Sequence, residues 1–157
     1  MVRKIIKLIL VISCMIVIFC FSNDNSEKST KKSDGVIIKS TELFLNRKLN
    51  NEEKKLVIQK LVLPVRKGAH FTIYFILGIL VFSLLKEYRL VNLRTLVITV
   101  GICFLYACSD EVHQLFISGR SASVIDVFID TLGSMSGSFI YLFIINLCLK
   151  KGKCNYE

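Results

Sequence analysis

Apolar positions in this sequence gather in four long blocks, without the 3.6- or 2-residue alternation that marks a half-buried helix or strand. A helix that crosses a bilayer needs roughly 20 mostly apolar residues. Residues 5–21, 68–85, 95–117 and 124–149 approach or exceed that length. Lys7 interrupts the first block close enough to its end for the ammonium to reach the interface. The fourth block carries Asp126, Asp130 and Asn146. The pattern predicts an all-α polytopic membrane protein, one domain over residues 1–157, with four transmembrane helices in an up-down bundle.

The segment between the first two blocks, Ser22–Lys67, predicts a long amphipathic-helical loop. Ser22–Gly35 reads SNDNSEKSTKKSDG, with too few apolar residues for a core, and is expected to be flexible. Val36–Leu49 and Asn51–Leu63 mix apolar and charged residues at helical spacing (Ile37, Phe44 and Leu45, then Leu56 and Leu61). They predict two short helices lying on the membrane surface. Pro64 is expected to end the second, since its ring removes an N–H and clashes with the preceding turn. Arg3 and Lys4 give the first block the basic start of a signal peptide. Phe19-Cys20-Phe21 offers no small-residue cleavage site, and the apolar run continues past the Val11-Ile12-Ser13-Cys14 stretch that loosely resembles a lipidation signal. An uncleaved first helix is expected.

Charge then narrows the partners. Twenty-one Lys and Arg face twelve Asp and Glu, a net charge of +9. In a soluble chain that excess points to nucleic acid. Here the basic residues flank apolar blocks and no motif interleaves them with aromatics. Nucleic acid is therefore set aside, and membrane lipids or lipid-linked envelope polymers are the expected partners. Cys14, Cys20, Cys103, Cys108, Cys148 and Cys154 show no zinc-ligand spacing and read as small apolar residues. Short flanks carry Arg3, Lys4 and Lys7, then Lys86, Arg89 and Arg94, then Lys150, Lys151 and Lys153, so the positive-inside rule places both termini in the cytoplasm. Ser22–Lys67 then lies outside despite eleven Lys and Arg, a long segment for which the rule carries less weight.

The ionisable residues of the blocks are not scattered. Lys67, His70 and Tyr74 share a helical face, as do Tyr106, Asp110, His113 and Gln114, with Glu111 beside them. A Ser118-Gly119-Arg120 turn follows, and Asp126 and Asp130 stand four residues apart, continued by Ser134 and Ser138. Alternating passage through the bilayer brings these stretches to one leaflet, the outer one under that orientation. An ionisable group near the bilayer centre costs about 2.5–3.5 kcal/mol even on the lenient insertion scale, so such groups are functional candidates by default. Each also has a plain reading. Ser123 and Asp126 have capping-box spacing. Asp130 has Lys67 or Arg120 as ion-pair partners. His70 and His113 suit interhelical hydrogen bonds, Tyr74 and Tyr106 an interfacial belt, Arg66 and Lys67 interface anchoring, and Gly133 and Gly137 close helix packing.

Three motifs in order carry a resemblance: Arg66-Lys67-x-Ala69-His70-x-x-x-Tyr74, then Asp110-Glu111-x-His113-Gln114-x-Phe116, then Gly119-Arg120 followed by Asp126, Asp130, Gly133 and Gly137. With Phe21-Ser22 before them, they resemble the VanZ-like family over nearly the whole chain. Asp130 stands where the family often has Asn, and Ile117-Ser118 where a Pro-Gly turn is common. The resemblance implies a bacterial cytoplasmic-membrane protein of the cell envelope. The founding member's association with teicoplanin resistance implies a link to glycopeptide antibiotics. No established reaction comes with the family.

Two functions from different classes fit. One is a non-enzymatic envelope protein whose outer-leaflet site binds lipid-linked envelope or lipoglycopeptide groups, with Lys67, Tyr74, Gln114, Arg120, Asp126 and Asp130 as ligand-binding candidates. The other is a membrane-embedded hydrolase or transferase acting on a lipid-linked phosphate or sugar. His70, Asp110, Glu111 and His113 are its catalytic candidates, since histidine titrates near neutrality and carboxylates orient it. Two histidines and several carboxylates suit a divalent metal by donor type. Asp-Glu-x-His matches no metal signature, so no metal or cofactor is assigned. A transporter or proton relay, third, needs a homo-oligomer formed through Gly133 and Gly137.

Overall fold

The computed structural model describes residues 1–23 and 26–150, with side chains described outside 26–32 and 149–150. Cys154, Lys151 and Lys153 lie outside the described residues, as do the side chains of Lys28, Lys31, Lys32 and Lys150. Among the described residues there are five helices and no strand: α1 (Val2–Ser22), α2 (Ser26–Leu45), α3 (Asn51–Lys86), α4 (Asn92–Gln114) and α5 (Val124–Lys150). The helices α1, α3, α4 and α5 are long and apolar enough to cross a membrane. Their outward faces show large apolar side chains such as Ile9, Leu105, Phe128 and Phe143. Lipid tolerates that exposure, and helices satisfy their backbone polar groups internally.

The expected all-α class with four apolar spans holds, and the intervening segment differs from expectation. The segment expected to be flexible from Ser22 to Gly35 is helical from Ser26 onward, through Gly35 to Leu45. This helix packs on α3, and tertiary packing of that kind overrides weak local propensity. Its end falls at Leu45, four residues before the expected Leu49, where Asn46 takes a left-handed φ of 51°. A start at Asn51 is as expected, and its cause is a capping box. Asn50 Oδ1 accepts from the Glu53 N–H at 2.8 Å, and Glu53 Oε2 accepts from the Asn50 N–H at 3.0 Å. Pro64 does not end this helix. The chain runs as one α-helix of 36 residues through Pro64 to Lys86, so Asn51–Leu63 is continuous with the apolar span. Proline's fixed φ of about −65° is itself helical, and membrane helices accept the lost hydrogen bond. The third span stops at Gln114, three residues before Ile117.

Glycine sets how α3 and α5 meet. A Cβ at Gly133 would strike the Phe71 carbonyl, one at Gly137 the Phe75 carbonyl, and one at Gly78 the Ser134 backbone. Contacts along the pair advance in step, from Lys67 with Asp126 to Ser83 with Tyr141, so the two helices run in the same direction. The Gly133 and Gly137 face is thus taken up inside the chain. The chain ends of α1 and α4 also meet, through Ser22 and Asp110, while Lys7 of α1 reaches Ser83 and Glu87 beyond the far end of α3. Lys7 is therefore paired, in place of simply reaching to the interface. Val11, Ile18, Tyr74, Leu77, Val81, Cys103 and Ala107 form the buried apolar cluster that joins α1, α3 and α4.

Gly137→Ala forces a methyl against the Phe75 carbonyl and lowers unfolding stability in detergent by about 1–3 kcal/mol. Gly101→Ala, where nothing lies within 4 Å, is neutral or slightly stabilising in the same assay. The Lys7 ammonium, 2.5 Å from Glu87 Oε1, holds the Glu87 carboxyl below its ordinary value of 4.5. A carboxyl depressed on folding stabilises the fold fully above its unfolded value, and the contribution disappears as pH falls through the folded one. Thermal scans from about pH 5 down to about pH 3 show a stability loss that Glu87→Gln reduces.

Candidate functional site

The α3–α5 register places two polar pairs one turn apart. Lys67 Nζ donates to Asp126 Oδ1 at 2.6 Å. Asp126 thus answers α3 instead of acting as the capping partner of Ser123. One turn deeper, His70 Nδ1 lies 3.6 Å from Asp130 Oδ1, slightly beyond hydrogen-bond length. Asp130 is wholly buried, and neither of its carboxylate oxygens has a hydrogen-bond partner. The expected ion pair of Asp130 with Lys67 or Arg120 does not form. Below it, the Tyr74 hydroxyl is also buried and unpartnered, with its ring 6.3 Å from that of Tyr106. Tyr106 donates to the Met15 carbonyl at 2.7 Å, which ties α4 to α1.

A second chain of bonds joins the ends of α1 and α4 to the turn before α5. Ser22 Oγ donates to Asp110 Oδ2 at 2.7 Å, and Gln114 Nε2 donates to the same oxygen at 3.1 Å. The Gln114 carbonyl is left to accept from Arg120 Nη1 at 3.1 Å, while Arg120 Nη2 reaches the Phe21 carbonyl at 3.4 Å. Arg120 is aimed by its turn. Its N–H donates to the Ile117 carbonyl at 3.1 Å, and Gly119 sits at φ 77°, a conformation that favours glycine. Glu111 Oε2 accepts from the Ser123 N–H at 2.7 Å, so the carboxylate that holds the entry to α5 comes from α4. Its other oxygen is buried without a partner.

His113 goes elsewhere. Its ring stacks on Phe19 of α1 with centroids 4.6 Å apart, and its Nε2 is buried without a hydrogen-bond partner. The two histidines therefore face different helices. Ser134 and Ser138 bond to carbonyls of their own helix at 2.8 Å and add no polar group to the site. Among the described residues no group of three or more His, Cys, Asp or Glu gathers to hold a metal.

Beside these pairs lies a cavity of about 360 Å³. Helix α1 lines it with Ile18, Phe21 and Ser22, α2 with Ser33 and Val36, and α3 with Val65, Arg66, Ala69, His70 and Ile73. Arg120 closes the ring. Among the described lining residues three are basic and none carries a carboxylate. Sequence reasoning put Arg66 among the interface anchors and gave α2 and Ser22 no place in the site. Ser22 had a signal: it is the first polar residue after the first apolar block, at the depth where antiparallel passage puts Asp110.

Asp110→Ala removes the acceptor of the buried Ser22 hydroxyl and leaves the Gln114 amide only a 3.5 Å contact with Ser22 Oγ, at about 1–3 kcal/mol for each group left unsatisfied. Asp110→Asn keeps an oxygen acceptor and destabilises less. Unfolding midpoints of the two purified variants in one detergent check the order.

Comparison with curated proteins gives no match, and comparison with solved structures gives none. Comparison with known families matches residues 7–146 to the family described as VanZ/LLP1. That stretch runs from the first turns of α1 into the last turns of α5 and contains every residue of the cavity and of both polar chains. With nearly its whole length matched, the chain belongs to the VanZ/LLP1 family.

Proposed function

We propose that this protein is a cell-envelope component of the bacterial cytoplasmic membrane whose cavity binds the anionic group of a lipid-linked envelope molecule. The observation that carries the reading is the lining: among the described residues Arg66, His70 and Arg120 converge on a largely apolar cavity. Guanidinium groups match phosphate oxygens in a planar fork, and they are less strongly hydrated than an ammonium. Ile18, Val36, Val65 and Ile73 supply the apolar wall that the first part of a lipid chain needs. Size selects further. Ligand pockets span about 300–1,000 Å³, and about 360 Å³ is at the small end of that range. A phosphate headgroup with a short run of chain suits it.

Orientation supports the same reading. With the short basic flanks in the cytoplasm, Ser22, Arg66 and Arg120 lie toward the outer leaflet, where lipid-linked envelope precursors meet glycopeptides. The basic residues of Ser22–Lys67 raise the local concentration of phosphate-rich polymers there. A lowered susceptibility to teicoplanin-type drugs then follows from withholding or redistributing the lipid-linked groups those drugs engage.

Deletion followed by restoration tests this. The wild-type chain is expected to restore teicoplanin tolerance and to retain an anionic lipid through purification, seen by native mass spectrometry. The double variant Arg66→Gln, Arg120→Gln, at equal membrane abundance, is expected to lose both. Full tolerance and full lipid retention in the double variant would contradict the reading.

A further inference from the structure

Asp130 is the group the binding reading leaves unexplained. It is wholly buried, both its oxygens lack hydrogen bonds, and it sits within a membrane-crossing helix. An ionisable group there is expensive, and an unsatisfied one calls for a reason. Ion pairing does not supply the reason, because Lys67 is bonded to Asp126 and Arg120 reaches Gln114 and the Phe21 carbonyl. The nearest partner is His70, whose Nδ1 edge faces Asp130 at 3.6 Å while the same residue lines the cavity. A carboxylate at one ring nitrogen favours the tautomer with the proton on that nitrogen and leaves a lone pair on the other.

We propose that His70, oriented by Asp130, hydrolyses the terminal phosphoryl group of a lipid-linked phosphate held in the cavity. This rests on the binding reading above. His70 Nε2 takes a proton from a water molecule as the water oxygen bonds to phosphorus. The bond between phosphorus and the oxygen of the lipid-bearing leaving group breaks. The imidazolium then gives its proton to that departing oxygen, so inorganic phosphate and a lipid with one fewer phosphoryl group are the products. Arg66 and Arg120 hold the non-bridging oxygens, where charge must be stabilised as the reaction proceeds. His70 is the catalytic residue. Asp130 is a positioning residue, since it acts through the imidazole from behind.

The test uses the purified full-length chain in detergent with farnesyl phosphate and farnesyl diphosphate as probes, reading phosphate release and probe binding separately. The wild type is expected to bind and to release phosphate from at least one probe. His70→Gln is expected to lose about 100-fold to 10,000-fold in kcat while binding the probes within a few-fold of wild type. Asp130→Asn is expected to lower kcat by about tenfold or more with little change in KM. A purely structural role for Asp130 would lower the folded fraction and leave kcat per folded molecule unchanged, which would overturn its assignment. Wild-type binding without phosphate release, or wild-type turnover by a folded His70→Gln, would overturn the catalytic proposal and leave the binding reading standing. Absence of probe binding by the wild type would remove both.

Discussion

Gly78, Gly133 and Gly137 bring the α3 and α5 backbones so close that a Cβ on any of them would collide with backbone atoms of the facing helix. Lipid tails are as apolar as leucine, so helices in a bilayer gain little from hydrophobic contact and associate through close packing and interhelical hydrogen bonds. Such a contact is also a ruler. A shift of one residue turns a helix by about 100°, which would carry Asp126 and Asp130 away from Lys67 and His70 and toward lipid. The two pairs exist because the glycines fix the register a turn or so further along.

From that register the rest of the polar end is assembled by α1, α4 and the turn before α5. Asp110 collects hydrogen bonds from Ser22 and Gln114, which points the Gln114 carbonyl at Arg120. Glu111 fixes the entry to α5 through the Ser123 N–H. The cavity therefore has its two guanidiniums on different supports, one on α3 and one on a turn held by α1 and α4. Helix α2 supplies the remaining wall with Ser33 and Val36. At the opposite end, Lys7, Ser83, Glu87 and Tyr141 tie α1, α3 and α5 together.

Much of this was legible in the sequence, and the misses have physical causes. Block lengths identified the spans, and helical spacing put Lys67 with His70 and Asp126 with Asp130 on shared faces. Which cation takes which carboxylate was not legible, because both lie on one face. Depth decides it: Lys67 precedes His70 by one turn as Asp126 precedes Asp130, and parallel helices match them in that order. Pro64 was misread because the rule for proline is local, whereas the helix continues through it into the apolar span. The start of α2 was misread because composition reports what a segment can bury alone, and α2 packs on α3. His113 was grouped with Asp110 and Gln114 by helical spacing, and its ring instead stacks on Phe19 of α1 with no hydrogen bond at its Nε2.

The central claim is that the anionic group of a lipid-linked molecule sits between Arg66, His70 and Arg120. Solid-state nuclear magnetic resonance on the protein in bilayers tests it directly, with arginine guanidinium carbons labelled and a lipid phosphate supplying the phosphorus. The account predicts a phosphorus–carbon dipolar coupling that disappears when Arg66 and Arg120 are both replaced by Gln. A lipid phosphorus that couples to no guanidinium carbon, or a coupling that survives the double replacement unchanged, would contradict it.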